Sequence, residues 1–228
     1  MYQLYIANKN YSSWSLRPWA LMTQLEIPFN EQLSPFTAAP AEQFKRFSAA
    51  GKVPALYDDS LLVWDSLAII EYLAEKHSNI WPKAVEARAW ARSAAAEMHS
   101  GFNAIRNLCP MSCGVRVRLN SASATALASD VARLDALWQQ GLATFGGPFL
   151  AGDAFSAVDA FFAPVVFRQQ TYGLALSSAS LAWCRRMREL PSLDSWYQAA
   201  LAEPWREAGH EADVIAVGVI TDDFRTPA

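Results

Sequence analysis

The sequence predicts an α+β protein: a small mixed sheet covered by helices, followed by an all-α helical second half. Two patterns predict this. Over the first eighty residues, short apolar runs of strand period alternate with helical ones in the order βαβαββα, and beyond residue 84 strand signals nearly vanish. At 228 residues and 52% apolar composition, the chain can bury a real core in one large domain or two modest ones.

Tyr2 to Ile6 alternates loosely and reads as a strand. Leu16, Trp19, Ala20 and Leu25 give one face of a helix over 15–25, with Pro18 placed in its first turn. Phe29 to Leu33 is the second strand, and 41–47 a short helix with Phe44 and Phe47 on one side. Pro54 to Tyr57, a turn at 58–60, and Leu61 to Trp64 read as a hairpin. A helix over 66–76 closes the unit. The segment 77–83, with Ser78, Asn79 and Pro82, reads as a linker between a domain over 1–78 and a second over 85–228.

In the second domain Trp90, Ala94, Met98, Ile105 and Leu108 recur at helical spacing, as do Leu127, Val131, Leu134, Trp138 and Phe145. Gly146-Gly147-Pro148 ends that second run. The stretch 157–167 is apolar nearly all round, which predicts a helix at the centre of a bundle, with Pro164 inside it. Shorter helices are predicted over 180–189 and 193–202. After Pro204 the pattern fits neither period.

Composition excludes several classes of function. Net charge is −3 with scattered basic residues, so there is no electrostatic footprint for nucleic acid. The chain opens without a basic leader or an apolar run before a cleavage site, and no uncharged apolar stretch reaches bilayer length, so no membrane association is expected. Three cysteines, Cys109, Cys113 and Cys184, make an odd number that suits a reducing cytoplasm. Cys109 and Cys113 are expected to share a helix face. With His77, His99 and His210 scattered, no metal site is expected. Phosphate-binding loop, dinucleotide fingerprint and nucleophile elbow are all missing from the sequence.

Three short segments carry chemistry. Tyr11-Ser12-Ser13-Trp14-Ser15-Leu16-Arg17 puts hydroxyls at a helix start, beside the positive end of its dipole. Val53-Pro54 precedes a strand, and Asp65-Ser66 opens the next helix, where an anion is favoured. Each has a plain structural reading too: serines and aspartates cap helices, and a proline before a strand is ordinarily trans. Their order and spacing at one sheet edge suggest more, a groove for a small, charged, thiol-bearing peptide.

Together these segments resemble the cytosolic glutathione S-transferase superfamily over essentially the whole chain. The resemblance implies a thioredoxin-like first domain and an all-helical second one. The opening motif is similar to the zeta-class Ser-Ser-Cys-x-x-Arg, with Trp14 in place of the cysteine. By position the catalytic serine falls on Ser12; a theta-type spacing selects Ser13. The resemblance further implies a cis Val53-Pro54 bond that pairs with the cysteinyl backbone, and Asp65 and Ser66 on the γ-glutamyl end. Lys52 is within reach of the glycyl carboxylate. Trp14, Phe36, Phe102 and Arg106 are the candidates for a second-substrate pocket. Gly152 to Asp159 matches the family's capping box, with Ser156 and Asp159 as the reciprocal pair.

Glutathione as co-substrate, a small electrophile as its partner and a homodimeric assembly follow as expectations. The implied reaction is attack of the glutathione thiolate on the electrophile. Zeta-like isomerisation of maleylacetoacetate is the alternative, although Trp14 replaces the cysteine and Thr171 falls where zeta enzymes have a substrate-binding arginine. Arg168 lies one helical turn earlier. A non-catalytic glutathione-binding module is the third reading.

Overall fold

The computed structural model describes residues 1–36 and 39–227. β1 (Tyr2–Ile6), α1 (Ser13–Gln24) and β2 (Phe29–Leu33) form a parallel β-α-β unit, because the crossover helix returns the chain to pair in the same direction. A short α2 (Pro40–Phe44) follows. β3 (Ala55–Asp58) and β4 (Leu61–Trp64) make an antiparallel hairpin that adds to β1, giving the sheet order β2-β1-β3-β4. Leu4, Ile6 and Leu56 are fully buried, beneath Leu16 and Ala20 of α1 and Ile69, Ile70 and Leu73 of α3 (Ser66–Lys76). The predicted βαβαββα order is thus present.

α1 begins two residues earlier than its apolar face suggests. The N–H groups of Tyr11 and Ser12 both donate to the Asn8 carbonyl, a tight turn that launches the helix at Ser13. Pro18 consequently falls in the second turn and not the first. Its missing N–H leaves the Trp14 carbonyl without the intrahelical donor it would otherwise have.

The rest of the chain is predominantly helical: α4 (Val85–Ser100), α5 (Asn103–Leu108), α6 (Ser121–Phe145), α7 (Ala157–Tyr172), α8 (Ser178–Arg188), α9 (Pro191–Ala202) and α10 (Ala208–Val217). The helical run predicted through Leu108 is broken, because Phe102 adopts a left-handed φ of 52°. Arg106 then reaches back, its Nη1 donating to the carbonyls of His99 (2.9 Å) and Gly101 (3.4 Å) at the end of α4. The second half also carries strand structure that the sequence reading did not foresee. β5 (Val115–Leu119) and β6 (Gly218–Asp223) form an antiparallel ribbon. The alternation Val115-Arg116-Val117-Arg118 buries its valines, and the tail after Pro204 is α10 followed by the second strand of this ribbon.

Cys109 and Cys113 do not share a helix face: α5 ends at Leu108, and both lie in the connection to β5. All three cysteines are buried free thiols, and burial pushes those of Cys109 and Cys184 up to about 12.

α7 is the central helix, buried on almost every side. Its start is the expected capping box. The Asp159 carboxylate accepts from the Ser156 N–H (3.1 Å), and its other oxygen accepts from Leu150 N–H (3.0 Å) and Trp183 Nε1 (3.1 Å). Its last turns hold the 109–112 segment. Arg168 Nε donates to the Cys109 carbonyl (2.7 Å), Thr171 Oγ1 to that of Ser112 (2.8 Å) and Tyr172 Oη to that of Pro110 (2.7 Å). The helical half also grips the loop before α1. Glu203 accepts from the N–H groups of Lys9 (2.5 Å) and Asn10 (3.2 Å), and Trp196 Nε1 donates to the Lys9 carbonyl (2.9 Å).

Candidate functional site

A cleft of about 810 Å³ opens where the sheet edge and the starts of α1 and α3 face α5, the 110–111 connection, α7 and α10. It brings together nearly every residue the sequence nominated: Ser12, Ser13, Trp14, Phe36, Lys52, Val53, Pro54, Asp65, Ser66 and Arg106 all line it. Phe102 does not. It is buried in the core with its ring edge-on to Phe162. An aromatic at this position was equally compatible with core or pocket; Phe102 is the left-handed residue just before α5, and its side chain lies in the core.

Ser12 occupies the N-cap position of α1, but its hydroxyl makes no capping hydrogen bond. Instead it donates to Ser15 Oγ at 2.8 Å, and Ser15 Oγ also accepts from the Ala7 N–H at 3.4 Å. Ser13 is the first helical residue, with its N–H donating to the Tyr11 carbonyl (2.9 Å). Both hydroxyl-bearing residues therefore stand at the positive end of the α1 dipole.

The Val53-Pro54 bond is cis. Asp65 caps α3 through Oδ1, which accepts from Leu67 N–H (2.8 Å) and Ala68 N–H (3.4 Å), and it holds the uncommon backbone φ of 75°. Its other oxygen lies 3.5 Å from His99 Nε2. Ser66 Oγ is buried and has no hydrogen-bond partner among the described residues. A buried hydroxyl left unpaired on the wall of a cleft is uncommon in folded proteins and calls for an explanation.

Three arginines gather at and behind the cleft: Arg106 and Arg168 line it, and Arg17 packs behind Trp14. Arg17 is fully buried, its guanidinium carbon 4.1 Å from the Trp14 ring centroid and 4.9 Å from that of Phe161, with Nε and Nη1 unpartnered among the described residues. Burial first, then Arg168 and Arg106, hold its pKa well below the usual arginine range. Arg106 also lies over Trp14, at 5.1 Å. Arg168, buried on the cleft wall, is lowered to about 10 by burial. No salt bridge to a carboxylate is made by these three arginines among the described residues. His99, edge-on to the Trp14 ring (centroids 5.3 Å), is shifted downward by burial in spite of Asp65. Thr171 is turned to the Ser112 carbonyl, and Arg168 is the α7 side chain that lines the cleft.

Sequence reasoning missed the α10 wall, where His210 and Asp213 line the cleft. His210 Nδ1 lies 2.7 Å from Glu207 Oε2, and its ring stacks on Tyr11 (centroids 4.9 Å) and packs against Phe36 (4.8 Å). The signal was present as a Glu-x-x-His spacing that a single helical turn brings together. Among the described residues no group of three His, Cys, Asp or Glu could hold a metal ion, and no helix is long and apolar enough to cross a membrane.

A four-stranded mixed sheet with a cis-proline at the start of β3, followed by a helical region, is the thioredoxin-like architecture of this class of proteins. Residues 11–76 match the glutathione S-transferase N-terminal domain family, and residues 119–199 match its C-terminal domain family. Glutathione S-transferase GstB of Escherichia coli strain K12 is 26% identical over 197 residues, 80% of this chain and 86% of that protein. A Caenorhabditis elegans protein named "Probable maleylacetoacetate isomerase" is 26% identical over 176 residues, 76% of this chain and 81% of its own length. The crystal structure of a glutathione transferase homolog from Burkholderia GL BGR1, solved with bound glutathione, superposes with a TM-score of 0.66. It is 19% identical and covers 87% of this chain and 97% of its own. The chain belongs to the glutathione S-transferase family, and glutathione transferase is the activity that membership assigns to it.

Proposed function

We propose that the cleft binds glutathione along the sheet edge and activates its thiol through Ser12 for attack on a small electrophile. The convergence of the α1 hydroxyls, the cis Val53-Pro54 edge and the unpartnered Ser66 hydroxyl on one cleft carries this reading. The γ-glutamyl carboxylate takes the Ser66 hydroxyl and the start of α3, where backbone N–H groups and the helix dipole favour an anion. Asp65 faces the α-ammonium, a charge-assisted contact. The cysteinyl backbone pairs with Val53 like an added strand, and Lys52 meets the glycyl carboxylate.

A free thiol titrates near about 8.5 and is mostly protonated at neutral pH. A hydroxyl donor beside a helix N-terminus favours the thiolate. Ser12 supplies it by rotating its proton from Ser15 Oγ to the sulfur; Ser13 is the alternative donor. The electrophile occupies the half of the cleft bounded by Trp14, Phe36 and Arg106, while Phe102 lies behind it. The division of labour follows the division of the chain: residues 1–78 carry glutathione, and residues 85–228 contribute the far wall. The working assembly is a cytoplasmic homodimer that needs no metal, membrane or nucleic acid.

Glutathione-dependent double-bond isomerisation is the second reading. Arg168, on the cleft wall with no carboxylate partner among the described residues, suits an acidic substrate, and the Caenorhabditis elegans relative carries the isomerase name. Titration calorimetry with glutathione, followed by turnover of 1-chloro-2,4-dinitrobenzene and of maleylacetoacetate, tests both. Heat of binding with aryl halide turnover supports the transferase. Isomerisation without conjugation supports the second reading, binding without either reaction leaves a glutathione-binding module, and no binding overturns all three.

A further inference from the structure

The transferase reading uses the thiol-activating side of the cleft and leaves the α10 wall without a task. Three observations give it one. His210 Nδ1 sits 2.7 Å from Glu207 Oε2, and that same oxygen accepts from the His210 backbone N–H at 2.8 Å. This fixes the ring with its Nδ1–H toward the carboxylate. The ring is held against two aromatics, stacked on Tyr11 at an interplanar angle of 22° and inclined at 34° to Phe36. His210 lines the cleft, and among the described residues Nε2 has no hydrogen-bond partner. Tyr11 directly precedes Ser12 in the chain, so the imidazole stands over the loop that carries the thiol-activating hydroxyl.

We propose that His210 is a proton donor to the second substrate and that Glu207 is its positioning residue, so the site favours electrophiles whose attack creates an oxyanion, above all α,β-unsaturated carbonyl compounds. The proposal rests on the transferase reading. In the step, the glutathione sulfur forms a bond to the β-carbon and the carbon–carbon π pair shifts toward the carbonyl. The carbonyl pair moves onto oxygen, and that enolate oxygen takes the proton from Nε2. The enol then returns to the ketone, and the imidazole regains a proton from water. Thiolate and proton are thereby added across one double bond with nothing oxidised or reduced. Aromatic substitution differs: the carbon–chlorine bond breaks, chloride leaves with its pair, and no proton is needed. General acid assistance of this kind contributes about 10²- to 10⁴-fold.

The groups facing His210 favour this role. Glu207 is held below the usual carboxylate range by the His210 backbone N–H, so it remains an anion at neutral pH. From the loop before α1 comes Tyr11, whose hydroxyl is pushed up to about 12 and stays neutral. Phe36 contributes no charge. α10 itself adds Glu211 and Asp213, the tail adds Arg206 and Arg225, and Lys52, Arg106 and Arg168 stand elsewhere around the cleft.

The test compares the unaltered protein, His210→Gln, Glu207→Gln and Glu207→Asp on trans-4-phenyl-3-buten-2-one and on 1-chloro-2,4-dinitrobenzene. Expected is a loss of enone kcat in His210→Gln at least tenfold greater than its loss of aryl halide kcat. Glu207→Gln is expected to lower enone kcat more than aryl halide kcat, and Glu207→Asp, which keeps the carboxylate, to restore part of the enone loss. Equal losses on both electrophiles, no recovery in Glu207→Asp, or an unaltered protein that conjugates the halide and not the enone overturns the proposal. If the unaltered protein turns over neither electrophile, the transferase reading falls, and this inference with it.

Discussion

The guanidinium of Arg17 lies 4.1 Å from the centroid of the Trp14 ring, in the place where the zeta motif has a cysteine. A second guanidinium, that of Arg106, lies 5.1 Å from the same ring. The indole thus offers π density to two cations, one of them fully buried and lacking a carboxylate partner among the described residues.

Replacing that ring should be costly in an unusual way. Trp14→Ala leaves the Arg17 charge with less compensation and is expected to lower stability by about 2–3 kcal/mol, with Trp14→Phe intermediate. Arg17→Met removes the charge and keeps the bulk, and is expected to be neutral or stabilising. Urea unfolding midpoints decide. A loss in Arg17→Met as large as that in Trp14→Ala would mean the guanidinium has a compensating partner.

The two hydroxyls at the start of α1 are separable by mutation. Ser12→Ala is expected to cut kcat/KM for conjugation by about 10- to 100-fold, the worth of a hydrogen bond to a charged sulfur, and to raise the pKa of bound glutathione. Ser13→Ala is expected to cost much less. Thiolate absorbance titrated in the complex reads the shift directly, and a larger effect at Ser13 reverses the assignment.

Asp159 should control folding without touching the cleft. Asp159→Ala orphans the Leu150 and Ser156 N–H groups and the Trp183 indole N–H, at about 1–3 kcal/mol per buried donor, so a large loss of stability is expected. Burial raises its folded pKa to about 6, against the opposing hydrogen bonds. Between that value and the ordinary carboxylate range the folded chain holds the extra proton, so this group's contribution falls as pH rises through the window. Relative to Asp159→Asn, the unaltered protein is expected to gain on the order of 2 kcal/mol on going from pH 7 to pH 4. Paired melts at the two pH values check it.

Arg225 ties the tail to the cleft wall. It reaches Glu211 (2.6 and 3.0 Å) and Asp223 (2.8 Å), and Glu211 also accepts from the Tyr11 hydroxyl (2.7 Å). Hydrogen bonds from Arg225 depress the Asp223 pKa; at Glu211 burial works the other way, yet hydrogen bonds from Arg225 and Tyr11 still bring the pKa down. Because both carboxylates are depressed, their contribution is present above the unfolded carboxylate range and is lost as pH falls through their folded values. Arg225→Ala is expected to speed amide exchange across 208–223 at neutral pH and to abolish the acid sensitivity of that exchange. Unchanged exchange would show that the ribbon alone holds the tail.

Sequence patterns made the β-α-β-α-β-β-α order legible because its periods change sharply and each strand is bounded by turn residues. That Ser12, Val53-Pro54 and Asp65-Ser66 meet on one cleft was legible for a related reason: each sits at an element boundary, where local sequence and position coincide. The α10 wall was not. His210 reaches the cleft only because the tail folds back through β6 pairing with β5, a contact spanning about a hundred residues that no local period encodes. Phe102 illustrates the converse error. A single left-handed residue turns a pocket candidate into core, and nothing in its composition announces that φ.

The grip of Glu203 and Trp196 on the Lys9-Asn10 backbone reaches beyond packing. The peptide groups just upstream of Ser12 find their partners nearly two hundred residues away, so the loop before α1 is completed only when the far end of the chain has arrived. Chimaeras that exchange the helical half for a relative's are expected to keep the loop before α1 in place only if the incoming segment restores a carboxylate at position 203.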